Sequence, residues 1–218
     1  MYAQAPKLHQ KGIHLISCDE KTGIQALERE VTPMRPSRVE RRSHEYIRHG
    51  TVCLIANFEV ATGQIVSPSL GESRTEDDFV IHIAQTLQGD IDGEWIFIVD
   101  NLNTHKSAGL VELVAKVLEI KAPLGEKGKS GILKSMETRA TFLSSQTHRI
   151  RFFYLPKRAS WLNQIELWFS ILVRRLLKRL SVSSKAELFE KLSDFIQYFN
   201  TTMAKPFKWT YKGRPLTV

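Results

Sequence analysis

The 218-residue chain is 42% apolar and 25% charged, which fits one globular domain of about 150–200 residues with some additional tail. Its two cysteines, Cys18 and Cys53, lie in apolar stretches, which excludes a disulfide-dense scaffold and predicts free thiols in a reducing compartment. No apolar run approaches the ~20 residues of a membrane span, and residues 1–12 lack a signal-peptide core, so we expect a cytoplasmic protein without a membrane partner. The net charge is +8, with −1 in residues 1–150 and +9 in residues 151–218. Such clustering favours a polyanionic partner over a solvated surface that binds nothing.

Hydrophobic periodicity predicts a mixed series of strands and helices. In chain order, the predicted elements are strands over residues 13–18, 51–58 and 63–68, a helix over 75–87, a strand over 95–99, a helix over 107–118, a strand over 151–155, and helices over 160–180 and 185–200. The first three strands are expected to form an antiparallel meander with a hairpin turn at Gly63, and Thr75 is a predicted N-cap. This order predicts an α/β fold with one mixed sheet covered by helices.

Two segments are expected to lie outside this framework. Residues 28–43 are polar and contain a basic run at 38–42, which predicts a loop. Residues 122–148 are rich in Gly, Lys and Ser, and they predict an insertion that contains a short helix near 134–143.

Three acidic residues lie in distinct settings and form the candidate catalytic site. Asp19 ends an apolar run, with Glu20 as an alternative ligand, and Asp100 directly follows the predicted central strand. Glu166 lies inside a long helical pattern. Carboxylates at strand ends facing a third on a helix suit two divalent cations about 3.5–4 Å apart, which can promote phosphoryl transfer. The alternative is that these acids cap turns or face solvent.

The predicted helix over residues 160–180 places Glu166 beside its apolar face. Asn163, Glu166 and Ser170 form a polar stripe next to the core stripe, which consists of Leu162, Ile165, Phe169, Leu172 and Leu176. Trp161 is expected to belong to the core, although its ring could instead stack on a nucleic-acid base.

Basic side chains flank the same helix and are predicted to contact DNA phosphates. They are Lys157, Arg158, Arg174, Arg175, Lys178 and Arg179. Asn163 and His105 are candidate supporting residues of the catalytic site. For His105 a structural role is the more common alternative, because the sequence lacks the ligand spacing of a zinc site.

Several segments resemble bacterial insertion-sequence transposases of the mariner superfamily. Residues 99–106 (VDNLNTHK) and 155–169 (LPKRASWLNQIELWF) resemble the second and third acidic blocks of that family, and residues 17–21 (SCDEK) match the first. The approach to the hairpin at 48–51 and the tail at 205–210 are also similar. The resemblance implies an RNase H-like fold and a catalytic DDE triad of Asp19, Asp100 and Glu166. It also implies two Mg²⁺ or Mn²⁺ ions, cleavage of double-stranded DNA at transposon ends, and strand transfer into a TA target.

The resemblance also implies a domain organisation. Residues 1–200 would form the catalytic domain, with 122–148 as its insertion, and 201–218 a basic tail. Family members usually carry helix-turn-helix modules before the first catalytic strand, which here begins about a dozen residues after Met1. We therefore expect those modules to be absent and a separate helix-turn-helix polypeptide to be a partner, with a homodimer as the assembly and the nucleoid as the location on DNA. The alternatives are a DNA-binding remnant without catalysis and an RNase H-like nuclease that only hydrolyses.

Overall fold

A computed structural model of the chain describes residues 1–29, 31–32, 41–42 and 45–210, with only the backbone for 31–32 and 41–42. The strands are β1 (Ile13–Glu28), β2 (Val31–Thr32), β3 (Arg41–Arg42), β4 (Ile47–Glu59), β5 (Ile65–Gly71), β6 (Glu94–Val99), β7 (Gly125–Glu126), β8 (Ser130–Gly131) and β9 (Ile150–Tyr154). The helices are α1 (Ala5–His9), α2 (Glu76–Leu87), α3 (Ala108–Val117), α4 (Met136–Leu143), α5 (Gln164–Arg175) and α6 (Lys185–Thr202).

The central sheet has five strands in the order β5-β4-β1-β6-β9. Strands β1, β4 and β5 form an antiparallel meander, whereas β6 is parallel to both β1 and β9. The run of apolar residues in β6 is buried, as expected for a central parallel strand whose two faces are both covered. The predicted mixed sheet, with a three-strand meander followed by parallel strands, is confirmed.

Helices cover both faces of this sheet. On one face, α1, α5 and α6 enclose a core that includes Leu15, Trp168 and Phe199. On the other face, α2, α3 and α4 pack over a second core that includes Phe97 and Phe152. Strands β1, β4 and β6 contribute side chains to both cores, because successive side chains point to opposite faces of a sheet. None of the helices in the described part of the chain is long and apolar enough to cross a membrane.

Local sequence signals account for several element ends. The Thr75 hydroxyl accepts a hydrogen bond from the Asp78 N–H at 3.2 Å, and Asp78 accepts one from the Thr75 N–H at 2.7 Å. This reciprocal capping box confirms Thr75 as the N-cap of α2. Gly63 adopts a φ of +77° in the β4–β5 turn, and a Cβ there would overlap the Lys205 backbone, so both conformation and space favour glycine.

Three predicted element boundaries are wrong. Strand β1 continues to Glu28 rather than ending at 18, because it goes on pairing with β4 beyond the end of its pairing with β6. The backbone of β2 and β3 forms a short antiparallel pair within the predicted loop 28–43; residues 38–40 of the basic run lie outside the described part. The predicted helix over 160–180 is a 3-10 turn at Ser160–Leu162, helix α5, and a second 3-10 turn at Leu177–Arg179.

The first part of the segment 122–148 is an exposed hairpin, and its later part contributes side chains to the core. Strands β7 and β8 form the hairpin, and helix α4 lies close to the predicted 134–143. Leu133 and Leu143 from this segment are buried with the residues of α2 and α3. The described part of the tail also packs back on the domain, since Phe207 stacks on Phe58 with ring centroids 4.6 Å apart.

Candidate active site

The register of the neighbouring strands β1 and β6 places Asp19 and Asp100 side by side at the end of β6. Paired residues of β1 and β6 differ by 81 in number, ending with Ser17 and Ile98, and Asp19 and Asp100 also differ by 81. Neighbouring strands lie about 4.8 Å apart, so the two acids are adjacent across the sheet. Asp19 therefore lies inside β1 rather than at its end, at the point where the parallel neighbour β6 stops.

A buried polar cluster fixes the start of α5 against β1. The Ser17 hydroxyl donates a hydrogen bond to Asn163 Oδ1 and accepts one from the Ile165 N–H at 2.9 Å. The Asn163 amide donates to the Cys18 carbonyl at 2.9 Å and approaches Asp19 Oδ2 at 3.4 Å. Because Glu166 is the next residue after Ile165, the same contacts place Glu166 at the first turn of α5, beside the strand that carries Asp19.

His105 contacts both Asp100 and Glu20. It lies in a 3-10 turn after β6, its side chain is fully buried, and its ring packs on Phe79 at 4.4 Å. Its Nδ1 lies 2.9 Å from Asp100 Oδ1, and its Nε2 lies 3.2 Å from Glu20 Oε1. The Leu102 N–H also donates to Asp100 Oδ1 at 2.8 Å. Asp100 is therefore held in one orientation by two contacts to the same oxygen.

The surroundings shift the pKa values of Asp19 and Asp100 in opposite directions. Burial raises the pKa of Asp19 to about 7, and the neighbouring Glu20 and Asp100 charges add to this effect. The hydrogen bond from His105 lowers the pKa of Asp100. Burial alone would lower the pKa of His105, but its contacts with Asp100 and Glu20 outweigh burial and raise that pKa to about 9. The site thus combines an imidazolium with an excess of carboxylates.

The oxygen donors of this site fit hard divalent cations. Asp19 is buried, and Glu20 Oε2 is a buried oxygen for which no hydrogen-bond partner is found among the described residues. Oxygen ligands of one Mg²⁺ at about 2.1 Å lie at most about 4.2 Å apart. Asp19, Asp100 and Glu166 are not as tightly grouped as this, because in the described part of the chain only His9, His14 and Glu59 have ligand atoms within 4.8 Å of one another. The chemistry of these donors therefore suits divalent cations, whereas Asp19, Asp100 and Glu166 do not converge tightly enough to serve one common ion.

The predicted basic residues divide into two groups. Lys157 and Arg158 are exposed in the loop between β9 and α5. Arg174, Arg175 and Arg179 line an open groove of about 660 Å³ at the other end of α5, and Lys178 lies beside a separate cleft. The expectation that Trp161 belongs to the core is wrong, because its side chain is 54% exposed. It precedes the true start of α5, in the 3-10 turn that leads to Asn163.

Comparison with known proteins identifies the family. The model of the DDE superfamily endonuclease family matches residues 14–189. The chain belongs to this family. The matched range includes Asp19, Asp100 and Glu166, and membership of the family confirms the resemblance drawn from the acidic blocks. None of the curated proteins compared by sequence matches the chain.

One of the similar solved structures supports the fold of the chain. A pre-cleavage transpososome of the Mos1 transposase matches with a TM-score of 0.52 and 11% identity, over 89% of this chain and 52% of that chain. A Mos1 mariner paired-end complex with Mn matches at 13% identity and a TM-score of 0.32, over 94% of this chain and 61% of that one. The first match confirms the RNase H-like fold, in which helices flank a mixed sheet. The chain spans about half the length of that Mos1 chain.

Sequence reasoning missed three residues that the fold places in or next to the candidate site. Ser17 precedes Asp19 by two positions and so shares its face of β1, a signal visible in the alternation of the strand. Lys106 Nζ donates to Asn101 Oδ1 at 2.5 Å and lies 4.6 Å from the Tyr154 ring. The Tyr154 hydroxyl donates to the His105 carbonyl at 2.8 Å, which fixes the 3-10 turn that carries the histidine.

Proposed function

We propose that this DDE endonuclease is the catalytic domain of a transposase, which cleaves DNA in a metal-dependent reaction and joins the freed end to target DNA. The observation that carries the proposal is the convergence of Asp19, Asp100 and the first turn of α5 at one end of β6. Family membership and the Mos1-like fold support the same class of reaction.

Asp19, Asp100 and Glu166 would hold two Mg²⁺ or Mn²⁺ ions, with Glu20 as an additional carboxylate. When bound, such ions supply an activated oxygen nucleophile and neutralise the charge that develops on the phosphate. The protein's own residues fix the carboxylates: His105 and the Leu102 N–H engage Asp100 Oδ1, which leaves Oδ2 for a ligand. This orientation reduces the reorganisation that would otherwise accompany catalysis.

The partners follow from the same proposal. Double-stranded DNA would be the substrate, as transposon ends and as a TA target, and the two ends would be paired by a homodimer. The Mos1 chain that shares this fold comes from a structure described as a pre-cleavage transpososome. A separate helix-turn-helix polypeptide would recognise the ends, and the complex would associate with the nucleoid.

The test of this function is a joining assay with supercoiled plasmid and a labelled oligonucleotide that carries a free 3′-hydroxyl. In Mg²⁺ or Mn²⁺ we expect plasmid nicking and covalent transfer of the label to the plasmid, and both should stop when the metal is chelated. Nicking without label transfer would instead identify an RNase H-like nuclease. DNA binding with neither product in Mn²⁺ would identify a non-catalytic remnant.

We further propose that the basic groove at the end of α5 binds the DNA backbone. Arg174 lies eight residues after Glu166, about 12 Å along the helix, which corresponds to three or four base-pair steps. Lys157, Arg158 and the exposed Trp161 would contact DNA near the catalytic acids, with the Trp161 ring stacking on a base. These contacts would orient the backbone without reading sequence.

Arg174→Ala/Arg175→Ala is expected to weaken DNA binding and to make the negative slope of log K against log salt shallower by about 1.8, since each phosphate contact contributes about 0.9 to its magnitude. The measurement is fluorescence anisotropy of a labelled duplex across a series of salt concentrations. The matched control is Lys116→Ala/Lys121→Ala, which removes the same charge from exposed positions near the end of α3. Equal slopes for the two double variants would exclude the groove as the DNA track.

A further inference from the structure

A second potential metal site lies at the opposite end of the sheet from the catalytic acids. It combines His9 at the end of α1, His14 near the start of β1 and Glu59 at the end of β4. His14 precedes Asp19 by five residues in the same strand, a separation of about 16 Å. This cluster is therefore distinct from the proposed catalytic site.

Two imidazole nitrogens converge on one carboxylate oxygen in this cluster. Glu59 Oε1 lies 3.2 Å from His9 Nδ1 and 3.0 Å from His14 Nδ1. Ligand atoms bound to Zn²⁺ at about 2.0–2.1 Å with tetrahedral angles lie about 3.3 Å apart. These two distances are within a few tenths of an ångström of that spacing, and the ligand atoms of all three residues lie within 4.8 Å of one another, so the donors are grouped closely enough to share one zinc ion.

The surroundings of the cluster orient its ligands. His14 Nε2 lies 3.1 Å from Asp90 Oδ2, and the His14 ring stacks on Trp95 with centroids 4.1 Å apart. Metal-binding histidines usually donate their second N–H to a carboxylate in this way, which fixes the tautomer and leaves the other nitrogen free to bind. Glu59 is 6% exposed, and a buried carboxylate is stabilised by a cation.

The donor set determines the class of metal. Imidazole nitrogens favour zinc and neighbouring transition metals, whereas Mg²⁺ and Ca²⁺ prefer sites built from oxygen. Two histidines and one glutamate supply three ligands and leave a position for water, which can enter because the His9 side chain is 42% exposed.

We propose that His9, His14 and Glu59 bind one Zn²⁺ ion, with Asp90 as the residue that orients His14. The ion joins α1 to the strands β1 and β4, which already pair with each other, and adds to the hydrogen bond between His9 and Glu59. Its role is to hold α1 on the sheet, and it is independent of the proposed DNA cleavage.

The test is isothermal titration of the metal-free chain with Zn²⁺ in excess Mg²⁺, combined with thermal unfolding with and without zinc. We expect one zinc per chain and a higher melting temperature, because a ligand that binds only the folded state stabilises it. His9→Asn should weaken zinc binding by at least about a hundredfold, and Asp90→Asn by about 10–100-fold, the range seen for residues that orient metal ligands. Because His9 is partly exposed, His9→Asn should fold normally.

Two control variants separate this site from other zinc ligands. His49→Asn removes a histidine that also pairs with a carboxylate, Glu28 at 2.8 Å, and should bind zinc like the wild type. Asp100→Asn should do the same, because the catalytic acids are not part of the site. Wild-type zinc binding by His9→Asn, loss of zinc binding in Asp100→Asn, or the absence of zinc binding by the wild type would overturn the proposal.

Discussion

Asp100→Asn is expected to lower the single-turnover rate of DNA cleavage by at least about a thousandfold, which corresponds to about 4 kcal/mol of transition-state stabilisation. The amide keeps the size of the side chain and can still accept from the Leu102 N–H. It lacks the negative charge needed beside Asp19 to hold the ions. The effect should therefore appear in the rate constant at saturating DNA and Mg²⁺, with little change in DNA affinity.

The matched control is Asp92→Asn, which makes the same chemical change at an exposed position two residues before β6 begins. It should cleave DNA at the wild-type rate. Thermal unfolding of both variants would show that each is folded at the assay temperature. If Asp100→Asn retained wild-type activity, Asp100 would be removed from the catalytic site and the proposed mechanism would fail.

Parts of the fold that depend on local pattern could be predicted from the sequence. The apolar run at 95–99 predicts a buried central strand, and Thr75 followed by acids predicts a capped helix; both are present. The length of β1 was missed because polar residues interrupt it after Asp19. The buried side chains of Ile24 and Ala26 nevertheless keep the alternating pattern of a strand. The exposed polar residues around them make that pattern too weak to predict a strand from the sequence.

The supporting contacts of the site depend on pairs of residues far apart in the chain. The separation of Ser17 from Asn163 is 146 residues, and that of Glu20 from His105 is 85. No local sequence pattern indicates that Ser17, in a strand, will accept a hydrogen bond from the Ile165 N–H of a helix that begins so much later in the chain. The same contact explains the error in the start of α5. Asn163 adopts an extended conformation as the N-cap, and the preceding residues, including Trp161, therefore form a separate 3-10 turn instead of continuing the α-helix.

Ser17→Ala is expected to affect both stability and catalysis, because one hydroxyl joins β1 to the first turn of α5. Removing it leaves the Ile165 N–H and Asn163 Oδ1 without this partner in a buried environment. Each of these two unsatisfied groups costs about 1–3 kcal/mol, so the free energy of unfolding should fall by about 2–6 kcal/mol. Glu166 would lose its fixed position, and a displacement of about 1 Å in a catalytic group can reduce the rate about a hundredfold.

The comparison that isolates the catalytic effect is Ile65→Ala, which should lose a similar 2–5 kcal/mol by opening a cavity. Ile65 is 3% exposed and lies on the edge strand β5, two strands from β1. Urea unfolding would match the stability losses, and single-turnover cleavage would be measured at a temperature where both variants are folded. We expect wild-type cleavage for Ile65→Ala and a rate about a hundredfold lower for Ser17→Ala. Equal rates would mean that Ser17 stabilises the domain without positioning Glu166, and the link between the start of α5 and the catalytic acids would be lost.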